Sequence, residues 1–224
     1  MDIRKFLKNR FTVCIKKKVK QLQIAIYGKK ALLIFSETME SLGYDYWLMY
    51  GTLLGAIREH GFIKHDDDID IGMFCEAIGK PLAESLVNKG FVYRRMKCTK
   101  DMSYRMMTFK FHGISFDIYG FKYDSQSSQN VTGFQTLPLN GKDWKESYQK
   151  NLFRVCLTHM ELDGLKYIDF EGLRLKVPVN SDQVLRSLYG DDYLIPIKGK
   201  KAFESKIIEI MPIEQLSAEE VRLS

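Results

Sequence analysis

The sequence predicts an α+β domain in which a mixed β-sheet is flanked by helices, with a basic amphipathic helix at its N-terminus. Three observations carry this. Short apolar runs of strand length alternate with stretches of helical periodicity. A run of carboxylates, Asp66-Asp67-Asp68-Ile69-Asp70-Ile71, has the spacing of a strand end built to hold a divalent cation. The excess positive charge is confined to one end of the chain.

At 224 residues, 45% hydrophobic and 28% charged, the chain suits one full domain with an appendage, and its composition argues neither for disorder nor for a membrane span. No apolar run approaches the roughly 20 residues a transmembrane helix needs, and no signal-peptide pattern follows the first basic residues. Cys14, Cys75, Cys98 and Cys156 lack any Cys-x-x-Cys spacing, which favours reduced thiols in a cytosolic protein over a disulfide framework or zinc site.

Residues 1–30 hold ten Lys or Arg against Asp2 alone, a net +9, whereas the other 194 residues carry 24 basic and 27 acidic side chains, a net −3. Ile3, Leu7, Phe11, Cys14 or Ile15, Leu22 and Ile26 recur there at helical spacing. Two readings stand side by side: attachment to an anionic membrane surface, or packing on the chain's own domain with a solvated basic face. Without a recognisable binding module, a nucleic-acid partner is not expected. The division this predicts is a basic helical extension over 1–29 and a catalytic domain over 30–224.

Residues 31–42 continue as helix to Gly43, and Trp47-Leu48-Met49-Tyr50 reads as a short buried strand. Gly51-Thr52 then turns the chain into a helix from about Leu53 to Glu59. His60-Gly61 leads to the aspartate strand, and a second helix is expected over Glu76 to Asn88. Tyr104–Phe111 and Ile114–Tyr119 are β runs joined by a two-residue turn at His112-Gly113. If Phe111 faces Ile114, then Lys110 faces Ser115 and Thr108 faces Asp117. Met107, Phe109, Phe111, Ile114, Phe116 and Ile118 form the core face, and Asp117 projects from the polar one. Lys122 to Gly133 reads as a polar loop. Tyr167–Val179 reads as a hairpin around Glu171-Gly172, and Ser181 as the cap of a helix to Leu188.

Alternation along a strand places Asp66, Asp68 and Asp70 on one face and Asp67, Ile69 and Ile71 on the other. An EF-hand does not fit: with Asp66 at position 1, position 6 is Ile71 rather than Gly and position 12 is Ala77 rather than Glu. A solvated acidic turn is the plain alternative. The isoleucines weaken it, because their burial puts Asp68 and Asp70 at a core edge where unpaired charge is expensive. Asp67, on the isoleucine side, is expected to pair with His65, Lys64 or a backbone amide.

A glycine turn opening a helix, then Asp-x-Asp on a neighbouring strand, then a lone Asp on a later strand is the order of the nucleotidyltransferase fold. Residues 47–72, from Trp47-Leu48-Met49-Tyr50-Gly51-Thr52 to Asp66-Asp67-Asp68-Ile69-Asp70-Ile71-Gly72, closely resemble the signature of the LicD family, which includes the fukutin-type proteins. Leu188-Tyr189-Gly190-Asp191-Asp192-Tyr193-Leu194-Ile195-Pro196 resembles that family's closing motif.

The resemblance implies a CDP-alcohol:glycan phosphotransferase. Such an enzyme moves a phosphorylated alcohol, phosphocholine foremost or a polyol phosphate, from a CDP-linked donor to a glycan hydroxyl and releases CMP. Acceptors of this kind are the glycans of lipopolysaccharide, teichoic acid and capsule. It further implies Asp68, Asp70 and Asp117 as ligands of Mg2+ or Mn2+, Asp66 nearby, and Gly51 and Thr52 against the donor's phosphates. Asp117 or Asp66 would take the hydroxyl proton, and Arg58, Lys64 and Lys110 would contact phosphate. His60 and His65 are expected to shape the turn, and Tyr189 to lie in the core. With a lipid-linked acceptor, the enzyme would sit in the cytoplasm at the inner face of the cytoplasmic membrane. A nucleotidyltransferase that leaves the nucleotide on its acceptor, a metal-dependent glycosyltransferase and a silent membrane-attached module are the alternatives.

Overall fold

The computed structural model describes residues 3–64, 66–125, 127, 129–138, 144–150, 152–197, 207–216 and 221. Helix α1 (Ile3–Leu42) runs unbroken through residues 29 and 30, so the expected extension and the first helix of the domain are one element. Its C-terminal half is anchored by Ile24, Ala31, Leu32, Phe35 and Met39, all buried. Phe35 meets Tyr46 edge-on and Phe116 at a tilt. Full burial of one such side chain contributes about 1.5–3 kcal/mol, so this half is fixed to the sheet by hydrophobic contact.

Strand β1 (Tyr46–Leu48) leads into α2 (Tyr50–Leu54), which continues as a π-helical turn over Gly55–Glu59. The helix therefore begins at Tyr50, which the sequence reading placed in the strand. Tyr50 itself takes a left-handed φ of 43°, a conformation uncommon outside glycine that makes the strand-to-helix corner sharp. β2 (Asp68–Phe74) follows, then a 3-10 turn at Cys75–Ala77 and α3 (Lys80–Asn88). The helix expected from Glu76 starts four residues later. Gly79 is fully extended and Pro81 sits in the first turn, where its missing N–H costs nothing.

The remaining strands are β3 (Val92–Cys98), β4 (Arg105–Phe111), β5 (Ile114–Tyr123) and β6 (Asn130–Pro138). After α4 (Trp144–Lys150) come β7 (Leu152–Glu161), β8 (Leu165–Phe170) and β9 (Leu173–Pro178). Helix α5 (Ser181–Tyr189), β10 (Ile207–Pro212) and β11 (Glu214–Leu216) complete the order. Ser181 does not cap α5: the cap position is Asn180, and the Ser181 hydroxyl donates to the Pro178 carbonyl.

The main sheet runs β10-β7-β6-β5-β4-β3-β11, with β2 joined to β5 and β1 to β2. It is mixed, because β2 pairs with β5 in parallel while the other pairings are antiparallel. The β4–β5 hairpin has the expected register, Phe111 opposite Ile114 and Thr108 opposite Asp117. The expected polar loop from Lys122 to Gly133 is instead the closing end of a hairpin, with Lys122 opposite Thr132 and Tyr123 opposite Val131. On the edge away from β4, β5 thus serves two further partners: its first part lies against β2 and its last residues against β6. From there β6 and β7 pack Phe134, Phe153 and Val155 against Met106 and Tyr119. β8 and β9 form the separate hairpin around Glu171-Gly172.

Candidate active site

Parallel pairing of β2 with β5 sets Asp70 directly beside Asp117, and Asp68 beside Ser115. On the other face of the same strands Ile69, Ile71, Phe116 and Ile118 are fully buried. The apolar side fixes the register, because a slip of one residue would drive carboxylates into the core. Asp68, Asp70 and Asp117 consequently offer carboxylate oxygens within 4.8 Å of one another.

Hydrogen bonds hold the carboxylates of Asp117 and Asp70. Thr108 Oγ1 donates to Asp117 Oδ1 at 2.6 Å, and Ser115 Oγ to Oδ2 at 3.2 Å. The Gly51 amide donates to Asp70 Oδ2 at 3.2 Å, and the Asp70 amide donates to Thr52 Oγ1 at 2.9 Å. The glycine turn, expected to face phosphate, is therefore tied to the aspartate strand. A side chain at residue 51 would displace the Asp66 carboxylate: a Cβ there would lie 2.5 Å from Asp66 Oδ2. The Tyr50 hydroxyl, 3.0 Å from Thr158 Oγ1, secures the corner from the β7 side.

Burial and mutual repulsion raise the proton affinity of the whole group. Burial foremost, then the charge of Asp66, holds Asp68 up to about 8. Asp70 is pushed well above the carboxylate range by burial and by Asp68 and Asp117. Burial also raises Asp117, against the opposing pull of its two hydroxyl donors and of Lys97 and Lys110. Convergent hard oxygens in a site where negative charge is costly are the donor set a divalent cation requires, and the three residues fit one.

The other expected residues are dispersed. Asp66 borders Gly51 and Asp68. Lys110 shares the Asp117 face, its ammonium 3.5 Å from the Gly113 carbonyl. Lys64 is exposed. Arg58 donates to the Tyr193 carbonyl at 3.1 Å and to Glu59 at 2.8 Å, tying the glycine-turn helix to the closing motif. His60 ends the π turn at a φ of 54°, and His65 lies outside the described residues. The Asp67 carboxylate meets Lys20 of α1 at 2.7 Å, a partner not among those expected for it. Tyr189 is buried, as expected, and the charges of Asp70 and Asp66 add to burial in raising its hydroxyl.

Lys97 is a site-face residue that sequence reasoning missed. It is 3% exposed, donates to Thr136 Oγ1 at 2.8 Å and lies 4.5 Å from the centre of the Phe153 ring. Burial, more than nearby Arg95, lowers it to about 8, with Asp117 pulling the other way. A register shift between Tyr93 and Arg95 turns it inward. The extra residue, Arg94, reverses the strand's parity, so Arg95 falls opposite Thr108 and Lys97 opposite Met106.

Residues 43–180 match the family model described as LicD/FKTN/FKRP, nucleotidyltransferase domain. The ribitol-5-phosphate transferase FKTN of Mus musculus is 24% identical over 171 residues, which cover 76% of this chain and 34% of that protein. The ribitol 5-phosphate transferase FKRP of Mus musculus is 25% identical over 159 residues, 68% of this chain and 29% of that protein. An uncharacterised protein of Rickettsia prowazekii (strain Madrid E) is 44% identical over 57 residues, 23% of this chain and 21% of its own length. The chain spans about a third of the length of the transferases it matches.

Proposed function

We propose that this chain, which belongs to the LicD/FKTN/FKRP nucleotidyltransferase-domain family, is a phosphotransferase that moves a phosphorylated alcohol from a CDP-linked donor to a hydroxyl of a cell-surface glycan, releasing CMP. The observation that carries it is the convergence of Asp68, Asp70 and Asp117 from two parallel neighbouring strands. Family resemblance supports phosphocholine as the transferred group. The likeness to FKTN and FKRP, both ribitol 5-phosphate transferases, supports ribitol phosphate.

The acceptor oxygen forms a bond to the donor phosphorus distal to cytidine as the bond from that phosphorus to the CMP oxygen breaks. Asp68, Asp70 and Asp117 would hold Mg2+ or Mn2+, which would supply neutralisation of the charge gathered on the phosphoryl oxygens. Gly51 and Thr52 keep Asp70 oriented through the paired backbone contacts. Asp66, beside Gly51 and Asp68 but outside the three-carboxylate set, takes the proton from the attacking hydroxyl. Lys110 on the Asp117 face and Lys64 at the entrance to β2 offer positive charge to the donor's phosphates. Arg58 holds the closing motif against the glycine turn. The acceptor in this reading is a lipid-linked glycan met at the inner face of the cytoplasmic membrane. Among the described residues, no helix is long and apolar enough to cross a membrane.

The test is CMP release from CDP-choline, CDP-ribitol and CDP-glycerol with Mg2+ or Mn2+, comparing the wild type with Asp68→Asn. Metal-dependent release from one donor, absent in the variant, is the expected result. If no cytidine nucleotide binds in the presence of metal, the CDP-donor assignment is wrong. A second variant probes the close approach at the turn. Gly51→Ala forces a methyl group against the Asp66 carboxylate, and the resulting displacement should cost about 100-fold in CMP release. The melting temperature should stay close to that of the wild type. Unchanged turnover in that variant would show that the Gly51–Asp66 contact does not position the chemistry.

A further inference from the structure

We infer that the outward face of α1 beds the protein onto an anionic lipid bilayer and holds the carboxylate site beside it. The site's need for a lipid-linked acceptor rests on the function proposed above; the bilayer contact does not.

Between residues 20 and 28, one side of α1 is fully committed to the domain. Lys20 pairs with Asp67, Tyr27 stacks on His112 at 4.3 Å, and Gly28 accepts the edge of the Phe62 ring so closely that a Cβ would lie 2.8 Å from it. The Gln23 side chain covers Gly113. These contacts grip the segment just before β2 and the turn just before β5, the two strands that bear the carboxylates. The helix is thereby fixed at the mouth of the site.

The other side of α1 has no such cover. Val19, Leu22, Ile26 and Leu33 are 49%, 60%, 58% and 38% exposed. Their spacings of three, four and seven residues stack them in a single stripe along the helix. Lys18, Lys29 and Lys30, all exposed, flank that stripe. An apolar centre with lysines along its edges is the arrangement that buries hydrocarbon between lipid chains while the ammonium groups meet lipid phosphates.

The charge selects the occupant. The first 30 residues carry a net +9 in a chain whose remainder is net −3, so a surface rich in anionic headgroups attracts this end. A second copy would bring an equally basic segment and be repelled. A nucleic-acid backbone would leave the apolar centre of the stripe in water.

The full chain should co-sediment with vesicles of phosphatidylcholine and phosphatidylglycerol, and much less with phosphatidylcholine alone. Leu22→Asp/Ile26→Asp alters only exposed positions, so the melting temperature should hold. Its vesicle affinity should fall at least tenfold, while CMP release from soluble substrates remains that of the wild type. Equal binding by the variant, or no binding of the wild type to the anionic vesicles, would overturn the inference. So would a dimer in sedimentation that the double substitution dissolves, since that assigns the face to a second copy. Vesicle binding is read without turnover, and Asp68→Asn should bind as the wild type does. A failure of the catalytic reading therefore remains separate from a failure of this one.

Discussion

Replacing Asp70 with asparagine is expected to lower CMP release by at least about 10^3-fold in a protein that still folds. The size follows from the several kcal/mol of charge stabilisation a bound cation supplies, at about 1.4 kcal/mol per factor of ten. Asp70 is the central member of the cluster, 7% exposed and directly beside Asp117. An asparagine oxygen can still accept the Gly51 amide proton, so the glycine turn keeps its tether. The charge that binds the cation is lost. Because burial, then Asp68 and Asp117, already disfavour a charge on Asp70, a neutral amide there costs the metal-free fold little. The melting temperature in chelator should be unchanged or higher. Turnover within tenfold of the wild type would remove Asp70 from the chemistry.

The metal-free protein should lose stability as pH rises from about 4 to about 8. The folded chain holds the Asp68 proton up to about 8, against an ordinary value of 3.8, and Asp70 and Asp117 are displaced in the same direction. A carboxyl that binds its proton more tightly when folded stabilises the fold fully below its unfolded value. That stability is lost as pH climbs through the folded value. For Asp68 alone the upper bound is on the order of 5 kcal/mol, shared among the coupled groups. At this chain length even half of that moves the melting temperature by roughly 5–10 °C. Two opposing contributions lie outside the window. Asp101 and Asp182, whose hydrogen bonds lower them, titrate below it, and the cost of burying charged Lys97 is constant until its folded value of about 8. Thermal melts in chelator across this range test the expectation. Mg2+ or Mn2+ should restore the loss at pH 8 by binding the folded state, and Asp68→Asn should flatten the slope. A melting temperature that rises or stays level from pH 4 to 8 would contradict it.

The carboxylate pair of strands was legible in the sequence because two periodicities coincide there. Ile69 and Ile71 require a buried face, and a two-residue turn at His112-Gly113 leaves one hairpin register that keeps Phe109, Phe111, Ile114 and Phe116 together. Both constraints are local, and the structure has Thr108 opposite Asp117 as they require. Lys97 was not legible. Arg94-Arg95-Met96-Lys97 looks like a solvated edge, and only a bulge visible through pairing with β4 turns Lys97 inward. The segment from Lys122 to Gly133 misled in another way: its polar residues resemble a loop, but Lys122 and Tyr123 have cross-strand partners in Thr132 and Val131. The Lys20–Asp67 pair was not foreseen because Lys20 lies in a helix 47 residues earlier.

The parallel pairing of β2 with β5 also bears on the order in which the chain assembles. β3, β4 and β5 are joined in sequence by antiparallel pairings, and such local contacts close cheaply and early. β2 has no neighbour of that kind on its β5 side. It must cross α3 and two further strands before Asp70 meets Asp117. The repelling carboxylates are therefore brought together only after a template for β2 exists. The apolar face of that template, Phe116 and Ile118, offers Ile69 and Ile71 a buried seat, so hydrophobic docking carries the carboxylates together as a by-product.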